Sequence, residues 1–389
     1  MQKDNFTPKN KKLMNQNLKI SKPIVSIILG TRPEAIKLIP IIKSFEQFEK
    51  IEIRVITTGQ HREMVNQVME LFNSDVDKDL NIMRNNQSLN YITIKVLEGL
   101  EEEFQKYRPS LVLVQGDTNT AFAGALCAFY KGIPIGHIEA GLRTNKLNDP
   151  FPEEGNRRLI SQIASLHFAP TEESKANLLN SDVSGLIYVT GNTVIDSLFM
   201  IAKKALRPNY KGINWNKNKV IFVSVHRREN WGKRLDDIIN GLKLILDNHS
   251  DVLILLPMHP NSVVRKPLMK SFKNNQRVIL QAPLNYFDLV GTIKSCFLLL
   301  TDSGGLQEEA PALGKPVLVL RDTTERPEAV KSGTAKLIGT NPIKILEETT
   351  KLLLNKETYN RMSNAINPYG DGKASSRILK ACKKYLNLK

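Results

Sequence analysis

The sequence predicts an α/β protein of two doubly wound domains with a cleft between them. Three observations lead there. Short β-rich runs alternate with amphipathic helical stretches, the alternation breaks at a basic, irregular segment (203–219) and then restarts, and 389 residues supply length for two cores. Strands are expected at 24–29, 53–57, 111–115, 133–138, 166–169 and 187–190, with helices at 34–48, 63–72, 91–107 and 120–130 between them. After the break, strands follow at 220–225, 252–256, 278–280, 297–300 and 316–320. The runs are apolar nearly throughout rather than alternating, the pattern of parallel strands covered by helices on both faces. The divisions are a basic leader (1–22) expected to be disordered, a first domain (23–190), a second (191–372) and a last helix at about 373–389.

Composition narrows the function. With 41% hydrophobic and 24% charged residues the chain reads as soluble and globular. No run approaches the roughly 18–20 apolar residues of a membrane span. The first 20 residues are polar and lysine-rich without an apolar stretch, unlike a secretory signal. Cys127, Cys296 and Cys382 are few and far apart, which speaks against a disulfide framework or zinc cluster and for a reducing compartment, the cytoplasm. The net charge of +16 resides in three stretches, 1–22, 201–220 and 373–389. The last two read as solvated surface, without the aromatic interleaving or fold signature of a nucleic-acid reader, so no nucleic-acid partner is expected.

Ligands of doubly wound sheets bind beyond the carboxyl ends of the strands, so the residues there carry the functional reading. In the first half these ends read Gly30-Thr31-Arg32, Gly116-Asp117-Thr118-Asn119 and His137-Ile138-Glu139-Ala140-Gly141. In the second they read His226-Arg227-Arg228-Glu229, Met258-His259-Pro260-Asn261, Asp302-Ser303-Gly304-Gly305 and Arg321-Asp322-Thr323-Thr324-Glu325-Arg326. A lone strand-end Asp is usually a helix cap; two polar rims of this extent are hard to explain by capping alone. Ser303-Gly304-Gly305 opens a helix, where small residues let backbone N–H groups approach a diphosphate and the helix dipole favours it. Glu309, one turn on, suits ribose hydroxyls or, equally, a surface ion pair.

The tetrapeptide Arg-Pro-Glu-Ala occurs twice, at Arg32–Ala35 and Arg326–Ala329. Its Pro and Glu suit a first helical turn, so it could be no more than a good helix start. It also sets an arginine at each helix start, and Arg32 and Arg326 are expected to face the cleft from opposite domains and grip a diphosphate. Neither half has G-x-G-x-x-G, which argues against NAD, and no metal-ligand spacing is present. Asp117, Glu139 and Glu153, with His226 across the cleft, suggest proton transfer at carbon with loss of a charged leaving group; a hydrolase carboxylate pair is the rival. His259 reads as readily as a core or loop histidine as a ligand contact.

"GTRPEAIK", "TGQHREM", "QGDTNTAFAGALCAFY", "HIEAGLRT", "PFPEEGNRRLI", "TGNTVIDSL", "HRRENWG", "TDSGGLQEEAP" and "RDTTERPEAV" occur in order from about Pro23 onward. Together they resemble the non-hydrolysing UDP-N-acetylglucosamine 2-epimerases of bacteria and archaea. The resemblance implies two Rossmann-like domains of GT-B type, with the last helix crossing back to the first. It implies interconversion of UDP-GlcNAc and UDP-ManNAc for surface polysaccharide, without cofactor or metal, through elimination of UDP to 2-acetamidoglucal and re-addition. The implied acid/base carboxylates are Asp117, Glu139 and Glu153, with no assignment of which is base; His226 supports the departing diphosphate. UDP contacts fall on Arg32, Lys37, Ser303, Gly304, Gly305, Glu309 and Arg326. Gln60, Gln87, Glu153, Arg227 and His259 correspond to a second UDP-GlcNAc, an activator. Asn86 stands where an Arg is common, which is expected to weaken that site. Members are usually homodimers. Rival readings are a hydrolysing epimerase releasing ManNAc and UDP, a GT-B glycosyltransferase, and a silent nucleotide-sugar sensor.

Overall fold

The protein is described here by a computed structural model covering residues 22–60, 62–84, 87–144, 146–148 and 150–389. Of the leader, only Lys22 falls within these residues, and Asn86 lies outside them. Two all-parallel sheets form. The first holds β1 (Ile24–Leu29), β2 (Glu52–Thr57), β3 (Lys78–Asp79), β4 (Leu111–Gln115), β5 (Ile135–Ile138), β6 (Leu166–Ala169) and β7 (Leu186–Val189), in the order β3-β2-β1-β4-β5-β6-β7. The second holds β8 (Lys219–Ser224), β9 (Val252–Pro257), β10 (Val278–Gln281), β11 (Leu298–Thr301), β12 (Val317–Val319) and β13 (Ala335–Leu337), in the order β10-β9-β8-β11-β12-β13. The expected pair of doubly wound α/β units is present. In both sheets the order reverses beside the first strand, between β1 and β4 and between β8 and β11, which opens a crevice at each strand end.

Burial explains the runs. β1 and β4 are almost wholly inaccessible, and the helix Arg32–Glu46 lays Leu38, Ile39, Ile41, Ile42 and Phe45 on the sheet. One apolar cluster runs continuously from the first domain, through Val194, Ile195 and Leu198, into residues of the second such as Val290, Ile293 and Leu306. The helix Thr193–Ala202 therefore sits in the seam between the units. The last helix, Ala374–Tyr385, starts on Asp196, whose carboxylate accepts the N–H groups of Ala374 (3.1 Å) and Ser375 (2.9 Å). It packs on the helix Arg32–Glu46 of the first unit.

Two differences from the expected elements have plain causes. β3 and β13, two and three residues long at the sheet edges, carry too little pattern to stand out. The basic stretch 201–220 is tied down rather than freely solvated: Trp215 Nε1 donates to the Pro208 carbonyl (2.8 Å), and the Tyr210 hydroxyl bonds Thr292 Oγ1 (3.1 Å).

His137 and His167 lie opposite each other on β5 and β6, both fully buried. Burial holds their pKa values far below the ordinary 6.5, at about 3 and about 4. The unfolded chain therefore takes up these protons near pH 6.5 while the folded chain does not, so stability should fall as pH drops below that point. Each histidine contributes up to about 1.4 kcal/mol per pH unit in that window. Urea midpoints should decline from pH 7 to pH 5, and His167→Phe should flatten part of the decline; parallel curves for the two proteins would refute the assignment.

Candidate active site

The strand-end residues singled out from the sequence lie at the two crevices. Arg32 follows β1, Asp117 follows β4 and Glu139 follows β5; Gln115 and Ile138, the last residues of β4 and β5, are register partners. In the second sheet His226 follows β8 and Asp302–Gly305 follow β11, with Ser224 and Thr301 in register.

Glu139 is buried and has a left-handed backbone (φ 62°), a conformation that costs a side chain about 1 kcal/mol or more. Its carboxylate is held on all sides. Lys37 Nζ donates to both oxygens at 2.6 Å, Gln115 donates to Oε2, and Asn192 Nδ2 donates to Oε1 at 3.0 Å. The second hydrogen of that Asn192 amide reaches Glu308 Oε2 at 2.8 Å, and Glu308 in turn binds Arg326 Nε. Two carboxylates and two cations, drawn from both domains, thus form one buried network around a single amide.

Their protonation preferences diverge. Burial alone would raise the pKa of Glu139, but Lys37, Arg326 and the Asn192 amide outweigh it and bring the value below the ordinary carboxylate range. Burial raises Glu308, and Arg326 and Lys37 only partly offset it. Carboxylates pushed apart in this way mark an acid/base site. Lys37 and Arg326, placed from the sequence on a diphosphate, are thus ion-paired to Glu139 and Glu308. Arg32 differs: it makes no hydrogen bond or ion pair among the described residues, yet lies close enough to Tyr286 and Glu309 to act on both electrostatically. Burial lifts Glu309 to about 7, and its Oε1 accepts the Tyr286 hydroxyl at 3.0 Å.

Asp117 Oδ2 pairs with Arg157 Nε at 2.7 Å, and its carbonyl accepts Asn156 Nδ2 at 2.8 Å, so the helix Glu153–Ile163 docks on the end of β4. Glu153 opens that helix, and its Oε2 is buried with no partner among the described residues. A buried carboxylate oxygen without a donor is costly, and it is left open to a ligand. Across the crevice, Asp302 accepts from the backbone N–H groups of His226 and Arg227, from Asn230 Nδ2, and lies 3.1 Å from His226 Nδ1. With Nδ1 engaged, Nε2 of His226 is the nitrogen left for a ligand.

Ser303 stands at the N-cap position of the helix Gly304–Ala312, without a capping bond from its side chain. A Cβ at Gly304 would lie 2.8 Å from Glu325 Oε1 and 3.4 Å from Arg227, so Gly304 admits these two side chains against the helix start, whereas a Cβ at Gly305 would meet nothing nearer than Ser303 Oγ at 4.0 Å. Arg227 pairs with Glu325 at 2.8 Å and its Nε is buried without a partner among the described residues. The His226 and His259 rings stack with centroids 6.1 Å apart. Gln60 accepts from Thr120 Oγ1 at 3.2 Å, and Gln87 accepts the Arg84 N–H at 3.3 Å. A separate cavity of about 770 Å³ is lined by Pro40, Lys43, Asp196, Phe199, Lys203 and Asp371 among others, and by none of these site residues.

A model of the family described as UDP-N-acetylglucosamine 2-epimerase matches residues 43–383. The chain belongs to the UDP-N-acetylglucosamine 2-epimerase family. It is 47% identical over 369 residues to the Escherichia coli K12 UDP-N-acetylglucosamine 2-epimerase, covering 92% of this chain and 98% of that one. It is equally similar (47% over 371 residues, 93% and 98% covered) to the Yersinia pestis enzyme of that name. The Neisseria meningitidis UDP-GlcNAc 2-epimerase bound to UDP-GlcNAc superposes with a TM-score of 0.84 at 45% identity, covering 93% of this chain and 100% of that one. A Methanocaldococcus jannaschii 2-epimerase in complex with UDP-GlcNAc and UDP gives 0.75 at 37%, with 93% and 99% covered. The two-domain GT-B architecture and the assignment as an isomerase follow from this membership.

Several residues of this candidate site escaped the sequence reading. Asp302 stood at a strand end, where a cap is the ordinary reading, and Glu308 adjoined the chosen Glu309. Asn192 and Gln115 carried no chemical signal of their own. The two arginines of the repeated tetrapeptide should separate in stability. Arg326→Ala strands the buried Glu308 and should cost about 3–5 kcal/mol, while Arg32→Ala should stay within about 0.5 kcal/mol of wild type. Equal urea midpoints for the two variants would contradict the network.

Proposed function

We propose that the protein epimerises UDP-GlcNAc reversibly at C2 to UDP-ManNAc without net hydrolysis. The carrying observation is Glu139: a buried carboxylate kept ionised at a strand end, and linked through Asn192 to Glu308 on the helix Gly304–Ala312 of the other domain. A C2 proton beside an acetal carbon is not acidic, so its removal needs a fixed base and stabilisation of the departing diphosphate together. In the proposed sequence a carboxylate takes the C2 proton and its electron pair forms the C1=C2 bond of 2-acetamidoglucal. The C1–O bond breaks, and UDP leaves with its electrons. UDP then adds back at C1 while C2 receives a proton on the opposite face.

Asp117, Glu139 and Glu153 supply the proton transfers in this reading. The ionised Glu139 suits the base and the unpartnered Glu153 oxygen suits proton return. His226, oriented by Asp302, supports the diphosphate with Arg32 and the backbone at Ser303, Gly304 and Gly305. Lys37 and Arg326 balance charge between carboxylates and diphosphate, and Glu309 takes the ribose. Gln60, Gln87, Glu153, Arg227 and His259 are assigned to a second, activating UDP-GlcNAc. Three buried free cysteines suit a reducing cytoplasm, where nucleotide-sugars for surface polysaccharide are made, and a homodimer is the proposed assembly.

Phosphorus NMR of the enzyme with UDP-GlcNAc tests this reading. Two sugar-nucleotide species should come to equilibrium with no accumulation of free UDP, and Asp117→Asn and Glu139→Gln should each slow the approach by about 100-fold or more. Stoichiometric UDP release would make the enzyme hydrolysing, and unchanged rates in both variants would remove the carboxylates from the chemistry.

A further inference from the structure

We infer that Asn192 is a positioning residue that makes the state of Glu139 depend on the relative placement of the two domains. The inference rests on the reading of Glu139 as an acid/base group. The chain leaves the first sheet through 190–192 and returns toward it through 367–372, and the two passages touch. A Cβ on Gly191 would lie 3.3 Å from Gly370 Cα, and the Asn192 N–H donates to the Tyr369 carbonyl at 2.6 Å. Gly191 (φ 88°) and Gly370 (φ 142°) both occupy backbone regions that glycine alone adopts freely, so the crossing is built from the two residues best able to absorb a rotation.

Asn192 sits at that crossing with its amide fully used. Its Oδ1 accepts the Val194 N–H (3.1 Å) and caps the helix Thr193–Ala202, which fixes the amide plane. Its two Nδ2 hydrogens then go to Glu139 of the first domain (3.0 Å) and Glu308 of the second (2.8 Å). A rotation about the touching glycines moves these acceptors relative to each other, and one fixed amide can serve both in one arrangement only. Leaving that arrangement removes a donor from a buried carboxylate, a change worth about ten-fold in an equilibrium or rate. Several groups act on Glu139 from the elements around it: Lys37 from the helix Arg32–Glu46, Gln115 at the end of β4, and His137 on β5 itself. Glu308 and Arg326 act from the second domain. Asn192 alone among these bonds a carboxylate of each domain.

Asn192→Ser and Asn192→Asp both keep a good helix cap, so both should fold. The serine variant loses the bonds to the two carboxylates, and the aspartate variant adds a third negative group beside them. With UDP-GlcNAc as substrate, the serine variant should lower kcat about ten-fold while KM stays within about three-fold. In the aspartate variant the acid limb of the kcat/KM pH profile should also move up by about one unit. Glu139→Gln is assayed alongside. If it turns over like wild type, the reading of Glu139 fails. If it is inactive while both Asn192 variants keep the wild-type kcat and acid limb, with altered thermal stability or without, Asn192 is only a cap and the inference is overturned.

Discussion

Two carboxylates from different domains share one buried neighbourhood, and the rest of the structure is arranged around that constraint. Glu139 and Glu308 would repel each other and resist burial if left alone. Lys37, Arg326 and the Asn192 amide make their coexistence tolerable by meeting both. Buried charge of this kind rarely adds net stability over a well-packed apolar cluster, although removing one partner is expensive. A continuous apolar core already joins the two domains through the helix Thr193–Ala202. The charges are therefore better understood as chemistry held in readiness than as an adhesive.

The two domains share a fold and divide the labour. The first contributes Asp117, Glu139 and Glu153 at the ends of β4 and β5 and the start of the helix Glu153–Ile163. The second contributes the helix start at Ser303–Gly305 and His226, with Asp302 behind its imidazole. The repeated Arg-Pro-Glu-Ala shows how far equal letters can part. Glu34 turns back onto its own helix start, accepting the Gly30 and Thr31 N–H groups and the Thr118 hydroxyl. Glu328 instead reaches Thr171 of the other domain, whose hydroxyl it accepts at 3.0 Å, and also accepts the Tyr369 hydroxyl at 3.2 Å. Arg32 has no hydrogen-bond or ion-pair partner among the described residues and lies near Glu309, while Arg326 is absorbed by Glu308.

Most of the fold was legible because parallel strands buried on both faces announce themselves as apolar runs; β1, β4 and β6 begin and end where those runs do. Short edge strands such as β3 leave no such trace. Within the site, strand-end polar residues were legible as a group, since two such rims are hard to explain by helix capping alone. Individual partners were not. Glu308 and Glu309 are adjacent letters, but a turn of about 100° per helical residue sends one to Asn192 and Arg326 and the other to Tyr286. Asn192 was invisible for a related reason: an asparagine before a helix is fully explained as a cap, and its second duty depends on where two other domain elements lie.

In the proposed reaction, the decisive event is exchange of a carbon-bound proton. Proton NMR of UDP-GlcNAc with the enzyme in D₂O observes that event at C2. The account predicts that deuterium enters C2 of both sugar nucleotides as the second epimer forms. Formation of the second epimer with C2 fully protonated in both would contradict it.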